Sequence, residues 1–209
     1  MLFTKTGVDN AKKCDIIKEE KEVRQWMELN LFVNDDKMQP VPVIALPMST
    51  KDAEQTEHDP KWQTSWLSSF IKDRRKMKFA LKTLNGELIG LAAYEIRKQD
   101  LVVYIAYMES QPESNPVLTH KAQRRYTGIG KALVANGIAL SFNHEFGGAV
   151  TLEAKTPELE KHYIRDFGAV RLPSFGGAAR LLIPEETSYR LIAPYLIQDE
   201  NEGGKAHGN

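Results

Sequence analysis

The dipeptide Asn85-Gly86 constrains this chain most, because it stands between two runs of strand-forming residues, 78–83 and 87–97. Asn and Gly tolerate the positive φ angles of a tight hairpin turn, so the two runs are expected to pair antiparallel. Residues 101–109, β-branched and aromatic, predict a third strand. The pattern then alternates. A long helix is expected over residues 128–146, closed by Gly147-Gly148, followed by a strand over 149–154 and a helix over Pro157–Phe167. Short strands at 170–172 and 180–183 and a final helix over 185–197 complete it. A hairpin and strand followed by strand-helix alternation predict a mixed α/β sheet.

The chain before the hairpin is textured differently. Ile16, Ile17, Val23, Trp26, Met27 and Leu31 recur at helical spacing, predicting an amphipathic helix over residues 15–32 that ends near Asn34, Asp35 and Asp36. Pro40, Pro42 and Pro47 punctuate the apolar run 41–48, which suits an edge strand because proline removes ladder donors. Residues 49–59 read as a polar connection. Asp59 as cap, Pro60 in the first turn and the stripe Trp62, Trp66, Leu67, Phe70 and Ile71 predict a second helix through Arg75.

Composition narrows the classes of function. With 42% hydrophobic and 27% charged residues, the 209-residue chain has the profile of a globular domain, not of a disordered segment. The length suits one elaborated domain. Twenty-eight basic residues balance twenty-eight acidic ones, which argues against a nucleic-acid partner or an anionic membrane. Cys14 is the only cysteine, so no intrachain disulfide or thiolate cluster is available, and a reducing compartment is expected. No apolar run approaches the roughly 18 residues of a membrane span. The expected localisation is cytoplasmic.

The residues that speak of chemistry are Arg125, Tyr126, Thr127, Gly128, Ile129, Gly130 and Lys131, where two glycines open a long helix. Glycine lets backbone approach a bulky anion, and the unpaired N–H groups and positive dipole end of a first helical turn favour phosphate. A nucleoside-triphosphate loop would need a glycine at Arg125 and a hydroxyl at Ala132. A dinucleotide fingerprint would need a small residue at Leu133 and a strand immediately upstream. Neither fits. Arg125-x-x-Gly128-x-Gly130, with Lys131, Ala132 and Leu133 on the helix behind it, resembles the pyrophosphate-binding motif of the GNAT superfamily of acyl-CoA-dependent N-acyltransferases. The order of elements over residues 78–183 is similar too. Tyr107, Met108, Glu109, Ser110, Gln111 and Pro112 look like the strand end of one branch of that superfamily. Two departures stand out: Tyr163 lies five residues before Gly168, where the superfamily has four, and the stretch from Glu109 to Arg125 is long.

That resemblance implies a mostly antiparallel mixed sheet with a central splayed parallel pair and helices on both faces. It divides the chain into an N-terminal helical extension (1–40), an acyltransferase domain (41–198) and a mobile tail (199–209). It implies transfer of an acetyl group from acetyl-CoA directly to an amine, small or on a protein. The pyrophosphate would rest on residues 125–131 and the thioester near Tyr107 and Met108. Glu109 would be the base and Tyr163 the general acid, with Glu153 second to Glu109. A lysine-like amine has a pKa near 10.4 and attacks only when neutral, which is why a base is sought. No histidine pair has metal-ligand spacing, and no metal is expected. A homodimer is compatible with this reading. Two alternatives remain: an acyl-CoA sensing module without turnover, and a toxin-type acetyltransferase acting on aminoacyl-tRNA.

Overall fold

The computed structural model describes residues 27–120, 123–173 and 176–196. In chain order the elements are β1 (Phe32–Asp35), β2 (Pro40–Pro47), α1 (Thr50–Gln55), α2 (Ser69–Lys72), β3 (Lys76–Thr83) and β4 (Leu88–Arg97). They continue with β5 (Val102–Ser110), β6 (Tyr126–Thr127), α3 (Ile129–Asn143), β7 (Val150–Ala154) and α4 (Pro157–Phe167). β8 (Val170–Arg171), β9 (Ala179–Ile183) and α5 (Glu185–Ile192) close the fold. The strands form one nine-stranded sheet in the order β6-β1-β2-β3-β4-β5-β7-β9-β8.

The expected hairpin is β3 and β4, paired antiparallel from Lys76↔Glu95 to Lys82↔Leu88, with Gly86 at φ 85° in the turn. β5 pairs antiparallel with β4 and parallel with β7, the one parallel pair among the described residues. That parallel pairing covers only Val103↔Val150, Tyr104↔Thr151 and Ile105↔Leu152. β5 runs on to Ser110 beside β4, while β7 turns with β9 through Ala154↔Ala179. The two strands therefore separate into a fork, as the resemblance implied.

Helices α3, α4 and α5 cover one face of the sheet. Leu133, Ile138, Tyr163, Phe167 and Ile192 bury there against Tyr94, Ile105, Leu152 and Leu181. Fully burying a side chain such as Leu133 or Ile138 is worth about 1.5–3 kcal/mol, so this layer fixes the helix that follows the glycine pair. The opposite face carries a smaller cluster in which Trp62, Trp66 and Ile71 pack on Ala80, Leu91 and Ala93.

Several expectations change. Residues 32–35 are the strand β1, not a helix end; the rest of the expected helix over 15–32 lies mostly outside the described residues. β2 sits inside the sheet order, yet each half has one partner, because β1 pairs with residues 40–42 and β3 with Val43–Pro47. Val43 N–H donates to Leu31 O at 2.9 Å, so odd-numbered amides face β1. Pro40 and Pro42 thus lack donors where β3 is not paired, and Pro47 lacks one where β1 is not. The helix expected from Pro60 to Arg75 is mostly turns and bends, with only α2 helical. Its tryptophans are buried as separate anchors, so helical spacing there did not mean a helix. The connection over 49–59 instead holds α1, capped reciprocally by Ser49 and Asp52. The final helix stops at Ile192 and tightens into a 3-10 turn at Ala193–Tyr195.

Candidate active site

The glycine pair sits at the entry to α3. Gly128 is the N-cap, with φ 89° and ψ 0°, a left-handed conformation that favours glycine. Gly130 has no such requirement, and a Cβ built on it meets nothing within 4 Å. Neither packing nor backbone geometry therefore explains a glycine at 130; what it provides is open space against the backbone. The helical ladder opens with Ala132 N–H donating to Gly128 O at 3.0 Å. The N–H groups of Ile129, Gly130 and Lys131 precede it and face outward from a positive dipole end.

This helix start is pressed against the end of β5. A Cβ on Gly90 would lie 2.8 Å from Ile129 Cγ2 and 3.5 Å from Glu109 O, so the glycine in β4 permits the close approach. The segment leading in is also fixed. Arg125 N–H donates to Glu113 O at 3.2 Å and Tyr126 N–H to Ser114 Oγ at 3.0 Å. Tyr126 and Thr127 form β6 on β1, with Tyr126 buried. The Arg125 guanidinium donates to Glu87 Oε2 at 3.0 Å, and the Tyr126 hydroxyl donates to the same oxygen at 2.9 Å. Of the residues expected at a phosphate, Gly128, Ile129, Gly130 and Lys131 present backbone to the open side, whereas the Arg125 side chain is occupied by an anion.

Beyond the fork, β5 is re-aimed by a bulge. Ala93 pairs with Tyr107 and Tyr94 with Ile105, leaving Ala106 as the extra residue. Ile105 consequently joins the helical face, and Tyr107 packs on the tryptophan cluster of the other. Glu109 follows Tyr107 on that side, and Met108 packs on the helical side. Glu109 is only 6% exposed; its Oε1 accepts Gln63 N–H at 2.5 Å and its Oε2 accepts Trp66 Nε1–H at 3.2 Å. Burial pushes its carboxyl above the usual range, opposed by those donors and by Lys155. The Tyr107 hydroxyl accepts from Thr64 Oγ1. Residues 63–66 are thus a strap latched onto β5 through Glu109 and Tyr107. Sequence reasoning missed this strap because its tryptophans mimic a helix stripe.

Tyr163 lies in α4 among Phe167 and the core of the helical face, with burial alone pushing its hydroxyl up to about 12. Glu109 and Tyr163 are therefore anchored on opposite faces. Glu153 is exposed on β7, and His162, partly exposed, pairs through Nδ1 with Asp166 Oδ2 at 2.6 Å. Next to the strap a cavity of about 590 Å³ opens, lined by His58, Asp59, Trp62, Glu87, Gln111 and Arg125 among others. Among the described residues there is no cluster of three or more metal-ligating side chains, and no helix is long and apolar enough to cross a membrane.

No protein-family model and no curated protein matches the sequence. Solved structures do. AAC(6')-Ib in complex with paromomycin and acetyl-CoA matches at a TM-score of 0.50 and 16% identity, over 71% of this chain and 96% of that one. The spermidine/spermine N-acetyltransferase SpeG from Vibrio cholerae, solved with manganese ions, matches at 0.49 and 14% identity, over 71% and 95%. A structure described as histone acetyltransferase HPA2 and related acetyltransferase, from Corynebacterium glutamicum, matches at 0.42 and 19% identity, over 68% and 96%. With β5 and β7 parallel inside an otherwise antiparallel sheet and helices on both faces, the chain has the GNAT acetyltransferase fold.

Proposed function

We propose that this protein is an N-acetyltransferase that transfers an acetyl group from acetyl-CoA directly to an amine. The observation that carries the reading is Gly130: a glycine demanded by nothing inside the protein, in the first turn of α3, where the backbone is left open. A cradle of N–H groups without a side chain over it suits a pyrophosphate. Lys131, exposed beside it, adds a cation. Arg125 takes a lesser part than the motif suggests, since Glu87 already neutralises it. Acetyl-CoA supplies the activated acyl carbon.

The remaining roles follow from where this chain puts its groups. β5 beyond Ile105 has no β7 partner, so its backbone edge from Ala106 to Met108 is free to pair with amides of an extended arm lying in the fork. N–H groups there can stabilise an oxyanion at the acyl carbon. Glu109, its carboxyl raised by burial, is placed to take the proton that the amine nitrogen sheds on attack, provided the strap yields one of its oxygens. The aromatic cavity beside the strap, where Asp59 and Glu113 stand with Trp62 and only Glu87 is paired with Arg125, suits a cationic acceptor. The similar structures whose descriptions name spermidine and paromomycin are consistent with amine-bearing acceptors.

The test is thiol release from acetyl-CoA across a panel of polyamines, aminoglycosides and lysine peptides. Turnover with at least one acceptor is expected. Tight acetyl-CoA binding with no turnover on any of them would favour the sensing alternative.

A further inference from the structure

We infer that Lys155 is a catalytic residue, placed to pair with the thiolate that departs during transfer; this rests on the acetyl-CoA reading above. Lys155 follows directly on β7, past the point where β5 and β7 cease to pair. Its Nζ nevertheless reaches back to 4.3 Å from the Tyr107 ring centroid. The ammonium thus spans the open fork on the face that carries Glu109. An exposed lysine has many places to go, and this one is held across the opening by the face of an aromatic ring.

Tyr107 is a fixed platform for it. The ring meets Trp66 edge-on with centroids 5.8 Å apart, and its hydroxyl is bonded to Thr64. A ring face holds a cation without neutralising it; the anion it feels is Glu109, and once Glu109 has taken a proton the charge is available to the thiolate. The titratable groups that face Lys155 are Tyr107 and Glu109 on β5, with Glu153 two residues before it on β7; the strap contributes Thr64 and Trp66, which do not titrate. Tyr163, the hydroxyl expected to reprotonate sulfur, stands on the other face, and its raised pKa makes it a reluctant donor.

The lone pair of the neutral acceptor nitrogen forms a bond to the acyl carbon, and the C–S bond breaks with its electron pair on sulfur. The nitrogen's surplus proton passes to the Glu109 carboxylate. Lys155 pairs with the thiolate, whose conjugate acid has a free pKa near 8.5. Products are an amide, a protonated Glu109 and a thiolate held by an ammonium.

The experiment titrates the thiol of CoA bound to the wild-type protein, to Lys155→Met and to Lys155→Arg, following thiolate absorbance in the ultraviolet. A melting shift confirms occupancy in each case. The bound thiol is expected to titrate about one unit or more lower in wild type than in Lys155→Met, with Lys155→Arg restoring most of the shift. In acetyl transfer, Lys155→Met should lose about 10- to 100-fold in kcat with little change in KM for acetyl-CoA. Equal thiol pKa values in wild type and Lys155→Met, with CoA bound to both, would overturn the role of Lys155 alone. Absence of any melting shift with CoA on the wild-type protein would overturn the cofactor reading and this role with it.

Discussion

The two faces of the sheet are built by different means. On the helical face the candidate phosphate seat is made of backbone: two glycines, the first turn of α3 and open space above Gly130. On the other face the candidate acceptor side is made of side chains: Glu109 and Tyr107 latch a strap that has almost no regular structure. A backbone seat demands little of its neighbours, because its donors come with the helix. A latched strap depends on each hydrogen bond and each buried ring. The first should therefore tolerate changes around it that leave the backbone alone, and the second should not.

Truncation on the strap side should give the largest effect. Trp66 is 1% exposed and anchors the cluster beneath the strap, so Trp66→Ala is expected to cost about 3–5 kcal/mol, read by denaturant unfolding. A cost within about 1 kcal/mol would mean that the strap does not depend on its rings.

Glu109 gives an effect that depends on pH. Its folded pKa is raised, so its favourable contribution is complete below the ordinary value of 4.5 and is lost as pH rises through the folded value. Wild type should lose stability relative to Glu109→Gln across that window, by thermal melts at a series of pH values. If Glu109 is also the base, the acid limb of kcat/KM should fall above the usual carboxylate range. A difference that does not vary with pH would remove the buried charge from the account.

The smallest effect belongs to the ion pair beside the seat. Arg125 is 58% exposed at its side chain, so Glu87→Gln should cost at most about 1 kcal/mol. Acetyl-CoA affinity, measured by titration, should hold. A large loss would show that the pair, rather than the backbone, shapes the seat.

The same contrast explains what could be read in the sequence. Asn85-Gly86, the strands around it, and helices α3 and α4 were legible because turn chemistry and periodicity are local. The place of the glycine pair, at the entry to α3, was legible for the same reason, being one short motif. β1 and β6 were not, since four and two residues carry no period, and β6 finds its partner β1 only from far along the chain. The strap was misread because Trp62 and Trp66 stand four apart and Pro60 resembles a helix start. The sequence signal that was available and missed is Ser49-x-x-Asp52, which caps α1 just ahead of the strap. The latch itself could not be read, since it joins Glu109 to Gln63 and Trp66 across a sheet face. Nor could the face of Tyr107, which depends on one bulged residue, Ala106.

The central claim is that the open backbone at Gly130 seats the pyrophosphate of acetyl-CoA, and calorimetric titration of acetyl-CoA into wild type and Gly130→Glu tests it most directly. A Cβ at 130 meets nothing within 4 Å, and a carboxylate suits the first turn of a helix, so the variant should fold with unchanged or slightly raised stability. Its carboxylate would occupy the seat and repel phosphate, so acetyl-CoA affinity should fall at least about 10-fold. Equal affinity in wild type and variant would contradict the account.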